Sequence, residues 1–436
     1  MAMKRNIFFL SLIFFFKVIA SAQNPGEHWM RFKTSEQAGW SSEQLEEICR
    51  NSNANSIVLL HKGKIVYTYG DYCRRIKCHS MRKSFLGALY GIYIDKGMID
   101  TAGTIGSLNI TDTTPLTSNE KEAQVSDLLK ACSGIYVPSG QETVDMKKSR
   151  PQRGSHPHGT FWYYNNWDFN VLGTVFRKKT NKDIFEAFKE NIADPLHMED
   201  FRLMDGVYDF DTLYASHPGY VFKMSARDAA RFAELFLQNG RWNGEQIIPQ
   251  KWIEQSTTSH SVTTTPGISY GFLWWIVEDF KGMKMYYAAG TNGQRICVIP
   301  SSEIIVVVNV DTYRGQYMRD VDTLIACLVF GSRTGDAISN PEFVPLTESA
   351  AVRTIELSQE EQHRYVGRYS IRDTVLIISE TADGLIVDGL HFFYKFSLLP
   401  IRKNKFFIED INLELIFDID GSGKPTNPRI MKPTGG

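Results

Sequence analysis

The sequence predicts an α+β fold, an antiparallel sheet with a helical insertion, followed by a small all-β C-terminal domain. Three patterns carry that expectation. Strand-like runs lie at both ends of the stretch from Trp40 to Asp311, helix-like periodicity fills its middle, and beyond Leu346 short apolar runs recur at nearly regular spacing between turns. The 436 residues leave room for two to three domains of about 100 to 200 residues each. At 43% hydrophobic and 22% charged, with only 16 prolines, the chain is neither disordered, collagen-like nor a coiled coil. A formal net charge of −1 supplies no basic field to gather a polyanion, which argues against nucleic acid and for a small-molecule substrate.

Taken in order, the chain opens with Lys4 and Arg5, an apolar run from Ile7 to Phe16, and Ala20-Ser21-Ala22. Residues 1–22 therefore read as a secretion signal, and the expected location is periplasmic or secreted. A membrane anchor needs about 20 apolar residues, and Lys17 interrupts the run before that. Loss of this leader removes three basic residues and no acid, leaving 45 basic against 49 acidic residues. No later segment has the length and apolarity of an integral span.

Ser56–His61 and Lys64–Tyr69 are β-rich runs split by Lys62-Gly63, a hairpin signal. A helix-rich stretch follows. Ser225 is a plausible N-cap, with Asp228 in a capping-box position, for a helix through Phe232, Leu235 and Phe236 that stops at Asn239-Gly240. Strands return at Gly271–Val277, Met285–Ala289, Arg295–Pro300 and Ile304–Val310, so one sheet draws on both ends of the domain. Asn340–Leu346, with two prolines, reads as a linker. Six further strands are expected at Tyr365–Tyr369, Val375–Ser379, Leu385–Asp388, Phe393–Leu399, Lys405–Glu409 and Leu413–Asp418, forming a small antiparallel domain or barrel. The organisation is thus leader 1–22, main domain 23–340, and linker plus β domain 341–436.

Six cysteines (Cys49, Cys73, Cys78, Cys132, Cys297 and Cys327) are too sparse for a disulfide scaffold, although export would permit pairing. Cys73 and Cys78 are close enough in sequence to close a small loop. Cys297 and Cys327 sit in apolar surroundings that suit free thiols.

Three segments of the main domain carry chemistry. In Ser80-Met-Arg-Lys83, leading a long apolar helix that Gly97 ends, Lys83 lies one turn after Ser80 and on the same face. An apolar setting and a helix N-terminus both disfavour an ammonium, so Lys83 is a candidate base for a nucleophilic Ser80. A capping serine beside a solvated lysine is the bland alternative, and Ser118-Asn-Glu-Lys121 repeats the spacing in a polar stretch. The second segment, Gly159 to Gly173, places a tyrosine two residues before an asparagine, either Tyr164 with Asn166 or Tyr163 with Asn165. A phenol can move protons and an amide can bind a carbonyl. The third is Ala288-Ala289-Gly290-Thr291-Asn292-Gly293-Gln294, where glycine between two strands lets a substrate approach backbone N–H groups; a plain hairpin turn is the alternative.

Together these segments resemble the penicillin-recognising serine hydrolases, most closely the class C β-lactamase-related branch. Its Ser-x-x-Lys motif falls on Ser80 and Lys83, and its Tyr-x-Asn motif on Tyr164 and Asn166, with the register set by Gly159-Thr160 and Leu172-Gly173. Ser126 to Gly134, Met224 to Asp228, Asn239 to Pro249 and Tyr270 to Trp275 match in the expected order, so the resemblance covers roughly Gly39 to Asp311. It implies a β-lactamase/transpeptidase-like fold and two-step acyl transfer. Ser80 would attack, Lys83 and Tyr164 would handle its proton, and Asn166 would bind substrate or hold Lys83. The backbone N–H groups of Ser80 and Thr291, beside Gly290, would receive the oxyanion.

One departure stands out. Where the family usually has Lys or His, Ser or Thr, then Gly, this chain has Ala288-Ala289-Gly290, removing the usual carboxylate clamp. The form is similar to a branch of esterases and nylon-oligomer amide hydrolases, so an ester, amide or peptide-like substrate is expected. Arg295 restores a cation only if strand alternation points it at the site. The implied chemistry needs no cofactor, and His156-Pro-His158 lacks a nearby third ligand for zinc. Trp162, Trp274 and Trp275 are candidate wall residues or core residues. The rival readings are a β-lactamase or cell-wall DD-peptidase, a catalytically silent binding module, and, lacking a membrane segment, least of all a signalling receptor.

Overall fold

In the computed structural model, the described residues are 24–210, 216–347, 354–371, 373–381, 383–390 and 395–432. The leader assigned to residues 1–22 lies outside them, as do Phe393 and the next residue, the start of one expected strand. The central element is a ten-stranded mixed sheet. Its strands are β1 (Met30–Phe32), β2 (Ser56–His61) and β3 (Lys64–Gly70), then β7 (Ser261–Val262), β8 (Ile268–Tyr270), β9 (Trp275–Phe280), β10 (Met283–Gly290), β11 (Gln294–Ile299), β12 (Ile304–Asn309) and β13 (Phe343–Pro345). A further three-stranded sheet matters to the site, in which β6 (Gly219–Met224) lies between β4 (Ile76–Lys77) and β5 (Gly206–Asp209). Across the main sheet the order is β13-β1-β3-β2-β12-β11-β10-β9-β8-β7. Both ends of the domain therefore meet at the β2–β12 seam, where Ile57 faces Val308 and Leu59 faces Val306.

Ser56–His61 and Ile304–Asn309 are buried throughout because each face of the sheet is covered. Val58, Leu60, Val298, Ile305 and Val307 pack into the core that contains the helical insertion. Ile57, Leu59, Val306 and Val308 face α1 (Ser42–Arg50) and α5 (Val321–Ala326) on the other side. Each such aliphatic side chain contributes about 1.5–3 kcal/mol on burial. Lys62 and Gly63, at φ of 52° and 71°, form the β2–β3 turn with both central residues left-handed, the geometry that matches strand twist.

The insertion holds α2 (Arg82–Asp95), α3 (Asn166–Thr180) and α4 (Ala226–Leu237). Every residue of α2 from Arg82 to Tyr93 is buried, which explains its apolar character on all faces. Ser225 caps α4 through Asp228 N at 3.1 Å, as its sequence predicts. Asp228 does not complete a capping box. Its carboxylate instead accepts the backbone N–H groups of Glu199, Asp200 and Phe201 at 2.8–2.9 Å, tying the preceding loop to α4.

Two expectations change. The run Gly271–Val277 is not one strand: β8 ends at Tyr270, β9 begins at Trp275, and Leu273 between them takes φ 64°. The prolines after Asn340 do not make a linker, because Phe343–Pro345 pairs antiparallel with β1 at the edge of the sheet, where a missing N–H is tolerated. The main domain consequently runs a few residues past 340. All six cysteines are free, so Cys73 and Cys78 do not close a loop; Cys297 is buried and Cys327 half-buried.

The C-terminal domain is a seven-stranded antiparallel meander, β14 to β20, at Gly367–Ile371, Thr374–Thr381, Gly384–Asp388, Phe396–Arg402, Lys405–Ile408, Leu413–Ile416 and Arg429–Met431. Its own core includes Tyr365, Leu376, Val387, Phe396, Phe406 and Phe417. The turn Glu409–Ile411 reaches into the main domain. There Asp410 pairs with Lys223 at 2.6 Å, Arg74 donates to the Glu409 carbonyl at 2.9 Å, and Arg75 approaches the Glu409 carboxylate at 3.4 Å. No helix among the described residues is long and apolar enough to cross a membrane.

Candidate active site

Local geometry at Ser80 follows from the way the chain leaves β4. Ile76 and Lys77 pair with Met224 and Lys223 of β6, and Cys78 N donates to the Phe222 carbonyl at 2.8 Å. His79 then turns the backbone at φ 48°, a left-handed conformation costly for a residue with a Cβ. Its Nε2 lies 2.7 Å from Thr312 Oγ1, and burial together with nearby Lys77, Arg82 and Lys83 pushes its imidazole down to about 3, so the ring is neutral. Ser80 sits in the single 3-10 turn His79–Met81 that leads into α2. Strain before the serine and a helix after it fix the hydroxyl.

One turn on, Lys83 is 2% exposed, with Nζ 2.7 Å from Ser80 Oγ and 2.8 Å from Tyr164 Oη. Nζ also lies 4.7 Å and 4.6 Å from the Tyr164 and Phe169 ring centres. Burial, and then repulsion from Arg82, hold this amine well below the ordinary lysine range. Burial pushes the Tyr164 phenol up to about 12, against the pull of Ser80 and Arg82. Burial thus disfavours the charged form of both the amine and the phenol.

The structure resolves the register of the second segment. Tyr164 reaches Lys83, whereas Tyr163 Oη donates to the Met146 carbonyl at 2.7 Å. Asn165 caps α3, its Oδ1 accepting Trp167 N at 3.1 Å, and its Nδ2 donates to Ile135 O and Asp168 Oδ1. Of the two roles expected of Asn166, binding substrate or holding Lys83, its contacts do not include the second. Its Nδ2 donates to the Gln141 carbonyl at 2.7 Å, and its Oδ1 is buried without a partner among the described residues, an acceptor free for a substrate donor. Asp168, fully buried, accepts Ser133 Oγ at 2.5 Å, and burial raises its carboxyl well above the usual range.

Gly290 ends β10 beside the backbone that leads into Ser80. A Cβ there would lie 2.5 Å from the Cys78 carbonyl oxygen, so only glycine lets the strand end come this close. Thr291 opens the turn Thr291–Gly293, exposed at Thr291 and Asn292, in which Asn292 takes φ 67°. Gln294, fully buried, staples the two parts: Nε2 donates to Lys77 O at 3.0 Å and Val310 O at 2.7 Å. Ala288 is buried in the core that holds α2. Arg295 faces the other side, 5.0 Å from the Tyr287 ring and 3.7 Å from Asp322, so it does not replace the missing cation.

Trp275 stacks on Tyr164 with ring centres 5.4 Å apart, and Trp162 packs edge-on against Trp275 at 5.7 Å. These two form an aromatic wall beside the phenol. Trp274 is core, fully buried against Phe236 and Tyr286. The repeated motif at Ser118–Lys121 is a separate short helix closed by a Thr117–Glu120 capping box, with both Ser118 and Lys121 exposed. His156 stacks on Phe161 and His158 bonds Asp127. Sequence reasoning did not single out Arg82 or Gln141. The available signal for Arg82 was a second cation, beside Lys83, at the head of a long apolar run; Gln141, in a loop, carried none.

Among solved structures, a protein from Bacillus anthracis described as a 6-aminohexanoate-dimer hydrolase is similar at 20% identity and a TM-score of 0.55, covering 71% of this chain and 89% of its own. An octameric penicillin-binding protein homologue from Pyrococcus abyssi has 17% identity and a TM-score of 0.49, covering 88% of this chain and 92% of its own. A D-stereospecific amidohydrolase from Streptomyces sp. has 15% identity and a TM-score of 0.48, covering 67% and 99%. The first of these likenesses shows a shared fold. No curated protein matches the chain. The model of the family described as Beta-lactamase matches residues 57–330, well over half of the sequence and every segment that meets at Ser80, and the chain belongs to that family.

Proposed function

We propose that the protein is an exported serine hydrolase that cleaves an ester or amide bond through an acyl-enzyme on Ser80. The observation that carries this reading is the buried Lys83 amine, 2.7 Å from Ser80 Oγ and 2.8 Å from Tyr164 Oη. Lys83 takes the Ser80 proton as Oγ bonds to the substrate carbonyl carbon, and Tyr164 relays a proton to the departing alkoxide or amine. Water then attacks the acyl carbon, giving its proton to the same pair as the Ser80 oxygen leaves. The N–H groups of Ser80 and Thr291 receive the oxyanion, where one such donor is worth about 2.7–4 kcal/mol. Asn166 Oδ1 is positioned to accept from the substrate.

Preference for esters and simple amides over β-lactams is supported by Ala288 and by Arg295 facing Asp322, which leave no cation at the usual clamp position. The test is intact mass spectrometry of the mature chain after exposure to a fluorophosphonate, with Ser80→Ala as control. A single adduct on Ser80, absent in the variant, is expected. A folded parent with no adduct refutes the reading and favours a silent binding module, whereas ready acylation by a fluorescent penicillin moves the assignment to a β-lactamase or DD-peptidase. The same spectrum reads export: cleavage after Ala22 leaves Gln23 as the first residue.

A further inference from the structure

Between Ser80 and Lys83 the chain places a second cation, and its surroundings are unusual. Arg82 is 4% exposed, with its guanidinium 4.5 Å from the centre of the Tyr220 ring. Nη2 donates to Gln141 Oε1 at 2.5 Å and reaches Asn170 Oδ1 at 3.5 Å. Nη1 is buried with no partner among the described residues. Other buried arginines have carboxylates: Arg74 pairs with Asp311, Arg75 with Asp205, Arg227 with Asp200 and Arg231 with Glu199. Arg82 is held by neutral amide oxygens and a ring face. A cation withdrawn from water on those conditions works against folding, and an apolar side chain of the same length would fill the space with less loss.

Its two effects both fall on the site. Gln141 sits at φ 63°, a left-handed position, with its side chain stretched between Arg82 and Asp209 (Nε2 to Oδ2, 2.8 Å) and its carbonyl accepting Asn166 Nδ2. Arg82 therefore braces the loop that aims Asn166. An uncompensated charge adjacent in sequence to Lys83 also acts through a low-dielectric interior, disfavouring the ammonium and favouring the phenolate. Arg82 adds to burial at Lys83, and at Tyr164 it opposes the burial that dominates and raises the phenol.

We infer that Arg82 is a positioning residue of the hydrolase: its buried guanidinium, tied to Gln141 and without a carboxylate partner among the described residues, holds the Asn166 loop and sets the field in which Lys83 and Tyr164 move the serine proton. This rests on the function proposed above. The other titratable groups around the pair are Lys77 and His79 on its own strand and turn, and Asp168 of α3. Asp209 faces it from β5, Tyr220 and Lys223 from β6, Tyr270 from β8, and Asp410 from the C-terminal turn. Lys223 is paired with Asp410, while Lys77, pushed down to about 8 by burial, titrates in the range of interest.

The test is the rate of fluorophosphonate labelling of Ser80 between pH 5.5 and 9.5, in the full chain carrying Lys77→Met to silence that lysine, with Arg82 intact, Arg82→Lys, Arg82→Met or Asn170→Asp. The last keeps the guanidinium but gives it a carboxylate. Expected are an acid limb that Arg82→Lys leaves in place and that Arg82→Met and Asn170→Asp move to higher pH, so that labelling at pH 6 falls about tenfold more than at pH 9. A uniform loss across pH, or coincident profiles in both variants, overturns the inference and makes Arg82 structural. If circular dichroism shows Arg82→Met unfolded, Asn170→Asp decides. Absence of any adduct on the Lys77→Met and the unaltered chains alike refutes the hydrolase reading itself, a different outcome from labelled chains with coincident profiles.

Discussion

Glu234 on α4 is fully buried, with Oε1 accepting Gln238 Nε2 at 2.9 Å and Oε2 without a partner among the described residues. Burial pushes its carboxyl from an ordinary 4.5 up to about 7, against the Gln238 hydrogen bond and the Lys64 charge. Because the folded-state value is the raised one, between those limits the native chain holds a proton that the unfolded chain has released. Stability is therefore lost as pH rises from about 4.5 to 7, and the loss is complete above the folded value. At about 1.4 kcal/mol per pH unit the interval amounts to about 3 kcal/mol. Glu234→Gln keeps the volume and the acceptor to Gln238 while removing the ionisation. For a domain of about 300 residues that difference corresponds to about 5 °C in melting temperature. Thermal unfolding of parent and variant at pH 5 and pH 8 reads it directly. The variant should melt about 5 °C above the parent at pH 8 and much closer to it at pH 5; an offset that does not change with pH refutes the reasoning.

Lys83→Met should reduce fluorophosphonate labelling by about 10²–10⁴ without lowering the melting temperature, because an apolar chain replaces a buried amine. Gly290→Ala places a methyl 2.5 Å from the Cys78 carbonyl, so labelling should fall about 10²-fold with a stability loss of about 1–3 kcal/mol, measured by kinetics and denaturant melts together. Lys223→Met strands Asp410, buried at 4%, and should destabilise by about 3–5 kcal/mol in denaturant unfolding; adding Asp410→Leu should recover most of that loss.

The parts of this protein legible in the sequence are those in which neighbours along the chain decide the outcome. Lys62-Gly63 fixes the hairpin, Ser225 caps its helix, and the Ser80–Lys83 spacing places an amine over a hydroxyl because one helical turn separates them. Where contacts come from far along the chain, local reading gives out. Asp228 has the right spacing for a capping box, yet its oxygens are claimed by backbone N–H groups around Asp200. Pro341 and Pro345 signal an irregular segment, but an edge strand uses the N–H groups that remain to pair with β1. Asn166 points to Gln141, a residue in a loop without a motif, and the Glu409–Ile411 turn meets partners more than 180 residues earlier.

That turn bears on where this protein ends as a working unit. The region shared with the family closes at residue 330, but the carboxylate that balances Lys223, across from Lys77 on the strand feeding Ser80, belongs to residue 410. A fragment trimmed to the shared region would also lose β1 and β13 from the sheet edge and leave Arg74 and Arg75 without the Glu409 oxygens. Transplanting the hydrolase onto another tail would require rewriting these cations as neutral residues. The C-terminal strands thus supply a counter-ion to the scaffold beneath Ser80.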